Sequence, residues 1–555
     1  MKWINKLIII LALLLQCVGI ADHSLWTPDE PREAQIIHEM SVRGDYLIPY
    51  FAGEAFLEKP PLYYALGVIS YNMLGNHFQE VGRVASLIFA LATLAVVYLT
   101  IHRIRSEHEA AFACLVLASF PLFFVASHKI LVDIGLMFFV TAALCAFLIA
   151  YHEKVRSWYW GFWVSMAGAF LCKGAIGLAI PGMTLLVFTI WQRDVRFIRQ
   201  AYIIPGVLLV LGVIALWAGV LYARGGASYL YTFFMYNQVG RFIPVGIIYK
   251  GGHVRPFYYY LLAIPALTAP FSLLLIPALA KIRNQQSPDR FFLSWLAGGL
   301  LILSFSSTKR EIYFLPMLPA MAMYITGWAS RLGGQKIRPW ESYFLKAIPL
   351  IILTVAALLP VAYVKIGGTA QTAVLVSVAA FTALLIVWKL CRSELLLFAI
   401  LGWSLVFVLW APVAIPQVDK GKSYKETFEE MGALVDHKQV VGYNLTETVE
   451  GLSRFYGKFY VKNIEDRGLF MHAIENHEAE YIMILPGRDD DGMRKELAAK
   501  ARMVFRNGGE MRREVELWKM SPSLLPEGTR SSNVIPIPTR KPDQSNRHRK
   551  GQGQP

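Results

Sequence analysis

Two short clusters of charge, each fenced by proline, stand out in an otherwise apolar chain: Trp26-Thr27-Pro28-Asp29-Glu30-Pro31-Arg32 and, further on, Glu58-Lys59-Pro60-Pro61. Two acids, an arginine and a lysine held between prolines just after an apolar run make poor filler at a bilayer surface. A carboxylate there can take a proton from an attacking hydroxyl. A guanidinium offers an anion a bidentate fork, and an ammonium offers it a point charge. Together these groups suit chemistry that moves a group off an anionic lipid.

More cations fall on the same predicted side of the membrane. Lys59, Lys173, Arg241, Arg255, Lys309 and Arg310 all lie close to the bilayer surface there, against the tendency of basic residues to stay cytoplasmic. Taken singly, each can be a long side chain snorkelling from a helix end. As a set they can hold a phosphate. If that phosphate is a polyprenyl phosphate carrying a sugar at its anomeric carbon, it leaves as a weakly basic anion without needing a proton. One base then suffices where hydrolysis of ordinary glycosides needs two carboxyl groups. Asp29 is the candidate base, a role typically worth about 10²- to 10⁴-fold, and a one-step displacement inverts the anomeric centre.

Structural readings compete at several of these positions. Asp29 also suits the N-cap of a helix opening at Pro31, and Asp133 suits a helix start. His253 precedes an aromatic run, Phe257 to Tyr260, that fits an interfacial belt. Glu58 with a histidine leaves a divalent metal open, although no His-Glu-x-x-His spacing is present.

The elements that must position these residues are membrane helices. The chain has 555 residues, 55% hydrophobic and 17% charged, with mean hydropathy +0.44, too apolar for a soluble globular protein. Apolar runs long enough to cross a hydrocarbon core recur from Ile4 to about Trp410. Their number is about thirteen, centred near Leu13, Ala90, Val116, Phe139, Ala167, Leu185, Leu211, Ile264, Leu300, Met321, Leu353, Val378 and Leu405. The predicted organisation is an α-helical polytopic membrane region over 1–412, an external α/β domain over 417–520 and a disordered basic tail over 521–555. The first apolar run reads as an uncleaved span rather than a signal peptide. Arginines and lysines in alternate linkers place the N-terminus in the cytoplasm and the Asp29 loop outside.

That first external loop, 22–78, has its own predicted structure. Pro31 opens a helix with Ile36, Ile37 and Met40 on its apolar face, and Gly44 stops it. Pro61 to Leu74 reads as an interfacial helix. The net charge of +15 is accounted for by cytoplasmic linkers and the basic tail, so nucleic acid need not be invoked.

The order of these motifs resembles the aminoarabinose transferase (ArnT) family and its relatives, the protein O-mannosyltransferases. The resemblance rests on Asp29-Glu30-Pro31-Arg32, Gly44-Asp45, Glu58-Lys59-Pro60-Pro61-Leu62, Cys172-Lys173-Gly174, Arg241-Phe242 with His253-x-x-Pro256-Phe257-Tyr258-Tyr259, and Ser307 to Pro316. It implies a GT-C glycosyltransferase of the bacterial inner membrane. Such an enzyme takes a sugar from a polyprenyl-phosphate donor and gives it to lipid A or another cell-envelope acceptor on the periplasmic face. It implies Asp29 as the catalytic acidic residue, Lys59, Lys173 and Tyr313 near the carrier phosphate, and Arg32, Glu58 and Asp133 lining the cavity. With the cations above, the candidate set is Asp29 and Lys59 for catalysis, and Arg32, Glu58, Asp133, Lys173, Arg241, His253, Arg255, Lys309 and Tyr313 for substrate and carrier phosphate.

The chain departs from the family at Glu33, where a tyrosine is usual, and at Asn237-Gln238, where a Glu-His pair is usual. The second change removes a histidine from the family's metal site, and both bear on which sugar and acceptor are used. Transfer to protein Ser/Thr is the alternative within enzymes. A lipid-linked sugar transporter is the alternative outside them, but it should show two repeated halves, and no such repeat is visible.

Overall fold

The computed structural model describes residues 2–521 apart from 75–81, 241–254, 281–286, 307, 335–337, 392–394, 437, 487–490 and 508–513. Each of the thirteen predicted span centres falls within a helix. Among the described residues, seven helices are long and apolar enough to cross a membrane, or up to nine if each of two sharply bent helix pairs is one span; Ile4–Cys17 and Ile176–Gln192 are apolar but shorter. One bend, of 73° between Glu107–Ala118 and Pro121–Ser127, has a local cause. Pro121 forces Phe120 into extended backbone, φ −65° and ψ 127°, and a residue before proline avoids the helical region.

The helices sort by what they touch. Val132–Glu153 and Glu311–Ser330 are buried along most of their length, whereas Ile203–Val239, Pro339–Lys365 and Ala370–Cys391 are as apolar but mostly uncovered. Leu216 and Leu375 are 75% and 74% exposed. Apolar surface on that scale is stable only against lipid. The chain is a multi-pass membrane protein.

The helix carrying the charged loop forms as its punctuation dictates. Glu30–Arg43 has Pro31 in its first turn and ends at Gly44, whose φ of 67° is left-handed. The Asp45 N–H then returns to the Met40 carbonyl, closing the helix end. Ile36, Ile37 and Met40 are buried against Leu62–Leu74. The contact is close because Gly67 has no side chain: a Cβ there would lie 2.5 Å from Ile37 Cδ1.

A buried ion pair fastens this loop to the membrane region. Arg83, in the helix Gly82–Ile104, donates from Nε to Glu30 Oε1 at 2.9 Å and from its other nitrogens to the carbonyls of Ile20, His23 and Ser24. Glu30 also accepts from the backbone N–H groups of Trp26 at 2.8 Å and Ile130 at 3.1 Å. A desolvated charge is tolerated only when its hydrogen bonds are filled in this way.

The last long helix, Leu395–Lys422, runs through the 412–417 boundary expected from composition. Beyond it lies a five-stranded sheet in the order Val461–Ile464, Val440–Tyr443, Tyr481–Ile484, Glu516–Met520, Ala501–Arg506. The first three strands are parallel and the last two antiparallel to their neighbours. Its helix Glu447–Phe455 lies against Glu30–Arg43 at the site end. Thr448 Oγ1 donates to the Pro28 carbonyl at 2.8 Å, and a Cβ on Gly451 would come within 2.7 Å of the Pro31 carbonyl oxygen.

Candidate functional site

Asp29 stands at the N-cap position of Glu30–Arg43, but its side chain makes no capping hydrogen bond. It turns instead to Arg310, whose Nη1 donates to Oδ1 at 2.9 Å and Nη2 to Oδ2 at 2.5 Å. Burial pushes the Asp29 carboxyl pKa up, yet the hydrogen bonds and charge of Arg310, with Arg32 and Lys59 behind it, outweigh that and draw it down to about 2.

One helical turn on, Glu33 is the hub of a second, deeper cluster. Its carboxylate is buried and accepts from Lys59 Nζ at 2.6 Å, from Arg32 Nη2 at 2.9 Å and from the hydroxyl of Tyr64. Burial would raise its pKa, but Lys59 and Arg32 together hold it below the usual carboxylate range. Arg32 also reaches Glu447 at 2.5 Å and lies 3.7 Å from Asp29 and 4.0 Å from Glu58. Asp29, Arg32, Glu58 and Lys59 therefore lie together.

The other wall comes from three separate elements. Asp133, in the first turn of Val132–Glu153, is 3% exposed and pairs with Lys173, the last residue of Trp158–Lys173. The Lys173 ammonium lies 4.5 Å from the centre of the Tyr313 ring. Tyr313 stands in the short helix Glu311–Met317, three residues after Arg310, so this wall joins the Asp29 cluster through the chain itself.

The remaining candidates lie further out. Arg255 is exposed and sits 5.8 Å from the Tyr259 ring, whose hydroxyl donates to Glu311 at 2.5 Å. Lys309 is buried and gives its ammonium to the Ser306 carbonyl, rather than to an acid of the cluster. Arg241 and His253 lie outside the described residues. Among the described residues no three His, Cys, Asp or Glu side chains group closely enough to hold a metal ion. Asn237 and Gln238 are occupied with backbone: Asn237 Nδ2 donates to the Leu57 carbonyl at 3.0 Å, and Gln238 Oε1 accepts from the Ala175 N–H at 2.9 Å.

Two contributors, Glu33 and Glu447, were not among the candidates, and a third, Arg310, was named only in the set of external cations and not as a partner of Asp29. Arg310 stands in the run of external cations and is the natural fork for a carboxylate. Glu33 lies four residues after Asp29, on the same helical face. Glu447 comes from the C-terminal sheet region, and nothing in its local sequence marks it. Chemically, the site interleaves four cations, Arg32, Lys59, Lys173 and Arg310, with the carboxylates of Asp29, Glu33, Glu58, Asp133 and Glu447, an arrangement that offers a phosphate forks and point charges and a hydroxyl a nearby carboxylate.

Known proteins share both the sequence pattern and the fold. The family described as dolichyl-phosphate-mannose-protein mannosyltransferase matches residues 58–218. An undecaprenyl phosphate-alpha-4-amino-4-deoxy-L-arabinose arabinosyl transferase from Pseudomonas paraeruginosa is 30% identical over 370 residues, 65% of this chain and 65% of its own length. The protein of the same name from Pectobacterium carotovorum is 29% identical over 339 residues, 59% of each. The crystal structure of ArnT from Cupriavidus metallidurans bound to undecaprenyl phosphate superposes with a TM-score of 0.75 at 21% identity, covering 93% of this chain and 98% of that one. The chain is ArnT-like. The ArnT likeness in fold takes in almost the whole molecule, whereas the sequence matches span less than two thirds of the curated relatives' length.

Proposed function

We propose that this ArnT-like protein is an integral membrane glycosyltransferase. It transfers a sugar from a polyprenyl-phosphate carrier such as undecaprenyl phosphate to lipid A or another cell-envelope glycolipid. The observation that carries the reading is the convergence of Asp29 with Arg310, Arg32, Lys59 and Lys173 at one end of a helical bundle of ArnT fold. Asp29 accepts the proton of the acceptor hydroxyl, the acceptor oxygen attacks the anomeric carbon, and the carrier phosphate departs with the bonding electron pair, inverting that centre. Arg32, Lys173 and Tyr313 line the phosphate's position, and Lys59 holds the cluster's charge in place through Glu33. The topology proposed with this is about thirteen spans in a bacterial inner membrane, with the N-terminus cytoplasmic and the site and C-terminal region periplasmic.

The match to a protein mannosyltransferase family over 58–218 favours a second reading, transfer to protein Ser/Thr. Purified protein in lipid, given a panel of polyprenyl-phosphate sugars with lipid A, other envelope glycolipids or Ser/Thr peptides, separates the two by mass spectrometry of the acceptors. Transfer abolished by Asp29→Asn supports the enzyme. Carrier binding without transfer to any acceptor, unchanged by Asp29→Asn, points to a transporter.

A further inference from the structure

As a base, Asp29 is compromised by its own contacts. Both of its oxygens are engaged by one guanidinium, and a carboxylate in such a fork accepts a proton poorly because the pair favours its charged form. The other cations of the cluster are also partnered: Lys59 by Glu33, Lys173 by Asp133, Arg32 by Glu33 and Glu447. Of these four side chains Arg310 is the most open, at 22% exposed against 14% for Arg32, 11% for Lys173 and 8% for Lys59.

We propose that Arg310 is shared between base and donor: in the empty protein it holds Asp29, and the donor's phosphate takes the guanidinium over, leaving Asp29 free to accept the acceptor's proton. This rests on the glycosyltransferase reading above. A guanidinium fork fits a phosphate as well as a carboxylate, so Arg310 keeps an oxyanion partner while Asp29 is left with Arg32, 3.7 Å away. The backbone is held while this happens. The Arg310 carbonyl accepts from the Tyr260 hydroxyl at 3.1 Å, and Glu311 is tied to Tyr259 at 2.5 Å, which leaves the exchange to the Arg310 side chain.

The chemistry favours the exchange. The donor is a phosphodiester with one negative charge. As the acceptor oxygen bonds to the anomeric carbon, the bond from that carbon to the phosphate oxygen breaks, its electron pair stays on phosphate, and the acceptor's proton passes to Asp29. The leaving group is then a monoester carrying an additional negative charge. A guanidinium already on the phosphate meets that charge as it develops, which is where an interaction accelerates a reaction. Arg310 thereby ties activation of the acceptor to the presence of the donor.

The test is binding of undecaprenyl phosphate to wild type, Asp29→Asn, Arg310→Gln and the double variant, with thermal melting as the folding control. Sharing predicts that Asp29→Asn binds about tenfold tighter or more, the release of one charged hydrogen-bonded pair. It also predicts that Arg310→Gln binds more weakly and that Asp29→Asn gains nothing in the Arg310→Gln background. Arg310→Lys keeps the charge without the fork, so the gain from Asp29→Asn should shrink there; this variant carries the test if Arg310→Gln does not fold. A gain of the same size with and without Arg310 would mean that simple charge removal is at work and would overturn the proposal. So would Asp29→Asn that melts lower but binds as wild type does, the mark of a purely structural tie. Wild type that binds carrier with no coupling overturns the sharing alone; wild type that binds no carrier overturns the glycosyltransferase reading with it.

Discussion

Lys59 and Glu33 are 2.6 Å apart and both buried, so the lysine of the Glu58-Lys59-Pro60-Pro61 cluster is charge-balanced one helical turn below Asp29. A carboxylate at 33 sets the resting charge of the site: a cation that would otherwise wait for a phosphate already has a partner.

Removing either partner alone should destabilise the protein by about 3–5 kcal/mol, because an uncompensated buried charge remains. Glu33→Gln with Lys59→Met should cost less than the sum of the single changes. Melting curves of the four proteins in one detergent measure the coupling.

Asp29→Asn should leave the fold intact and lower transfer by at least about 10²-fold, the usual contribution of a well-placed base. Initial rates of acceptor modification, read by mass spectrometry at matched protein levels, check this. Residual activity within a few-fold of wild type would remove Asp29 as the base.

Acid stability should carry the mark of the Asp29–Arg310 pair. The folded pKa of Asp29 is depressed to about 2, below an unfolded value of roughly 3.9. Its stabilisation is therefore fully present above the unfolded value and is lost as pH falls toward about 2. Melting temperatures of wild type and Asp29→Asn should differ near neutrality and draw together through that window. A constant difference across it would count against the pair.

Glu30 should behave in the opposite way to its neighbour. Glu30→Gln leaves Arg83 buried at 2% exposure without its charge partner, an expected loss of about 3–5 kcal/mol. The readout is the yield of monodisperse protein after extraction, which Asp29→Asn should leave near wild type.

Gly451→Val should impair transfer from outside the membrane region. The added side chain meets the Pro31 backbone, where a Cβ already lies at 2.7 Å, and must push the Glu447–Phe455 helix away from the Asp29 loop. Glu447→Ala, which removes only a half-exposed partner of Arg32, should cost less than about 1 kcal/mol. Transfer rates and melting of the two variants separate seating from charge.

How much of this was legible follows the range of each interaction. Pro31 and Gly44 bound the Glu30–Arg43 helix because proline and a left-handed glycine act locally, and the apolar runs locate helix centres for the same reason. The pairing of Asp29 with Arg310 spans 281 positions, and that of Arg32 with Glu447 spans 415. Residue types can nominate such partners, but only the approach of distant helices selects among them, which is why Lys309 could be nominated beside Arg310 and yet turn to the Ser306 carbonyl. Span length is a further lesson: Trp158–Lys173 and Ile176–Gln192 are ordinary apolar runs in sequence, and the turn that separates them is at Gly174, φ 77°, where a Cβ would meet Gln238.

The Glu30–Arg83 pair bears on how the protein meets its bilayer. Glu30 is fastened to the head of Gly82–Ile104, a membrane helix half of which is buried, and Asp29 is the adjacent residue, so the height of the Asp29 carboxylate is coupled to that helix. A helix tilts when hydrocarbon thickness changes. Through Arg83, the acyl-chain length of the host membrane would therefore set where the proposed base stands relative to the proposed membrane-anchored carrier, making lipid composition a determinant of turnover.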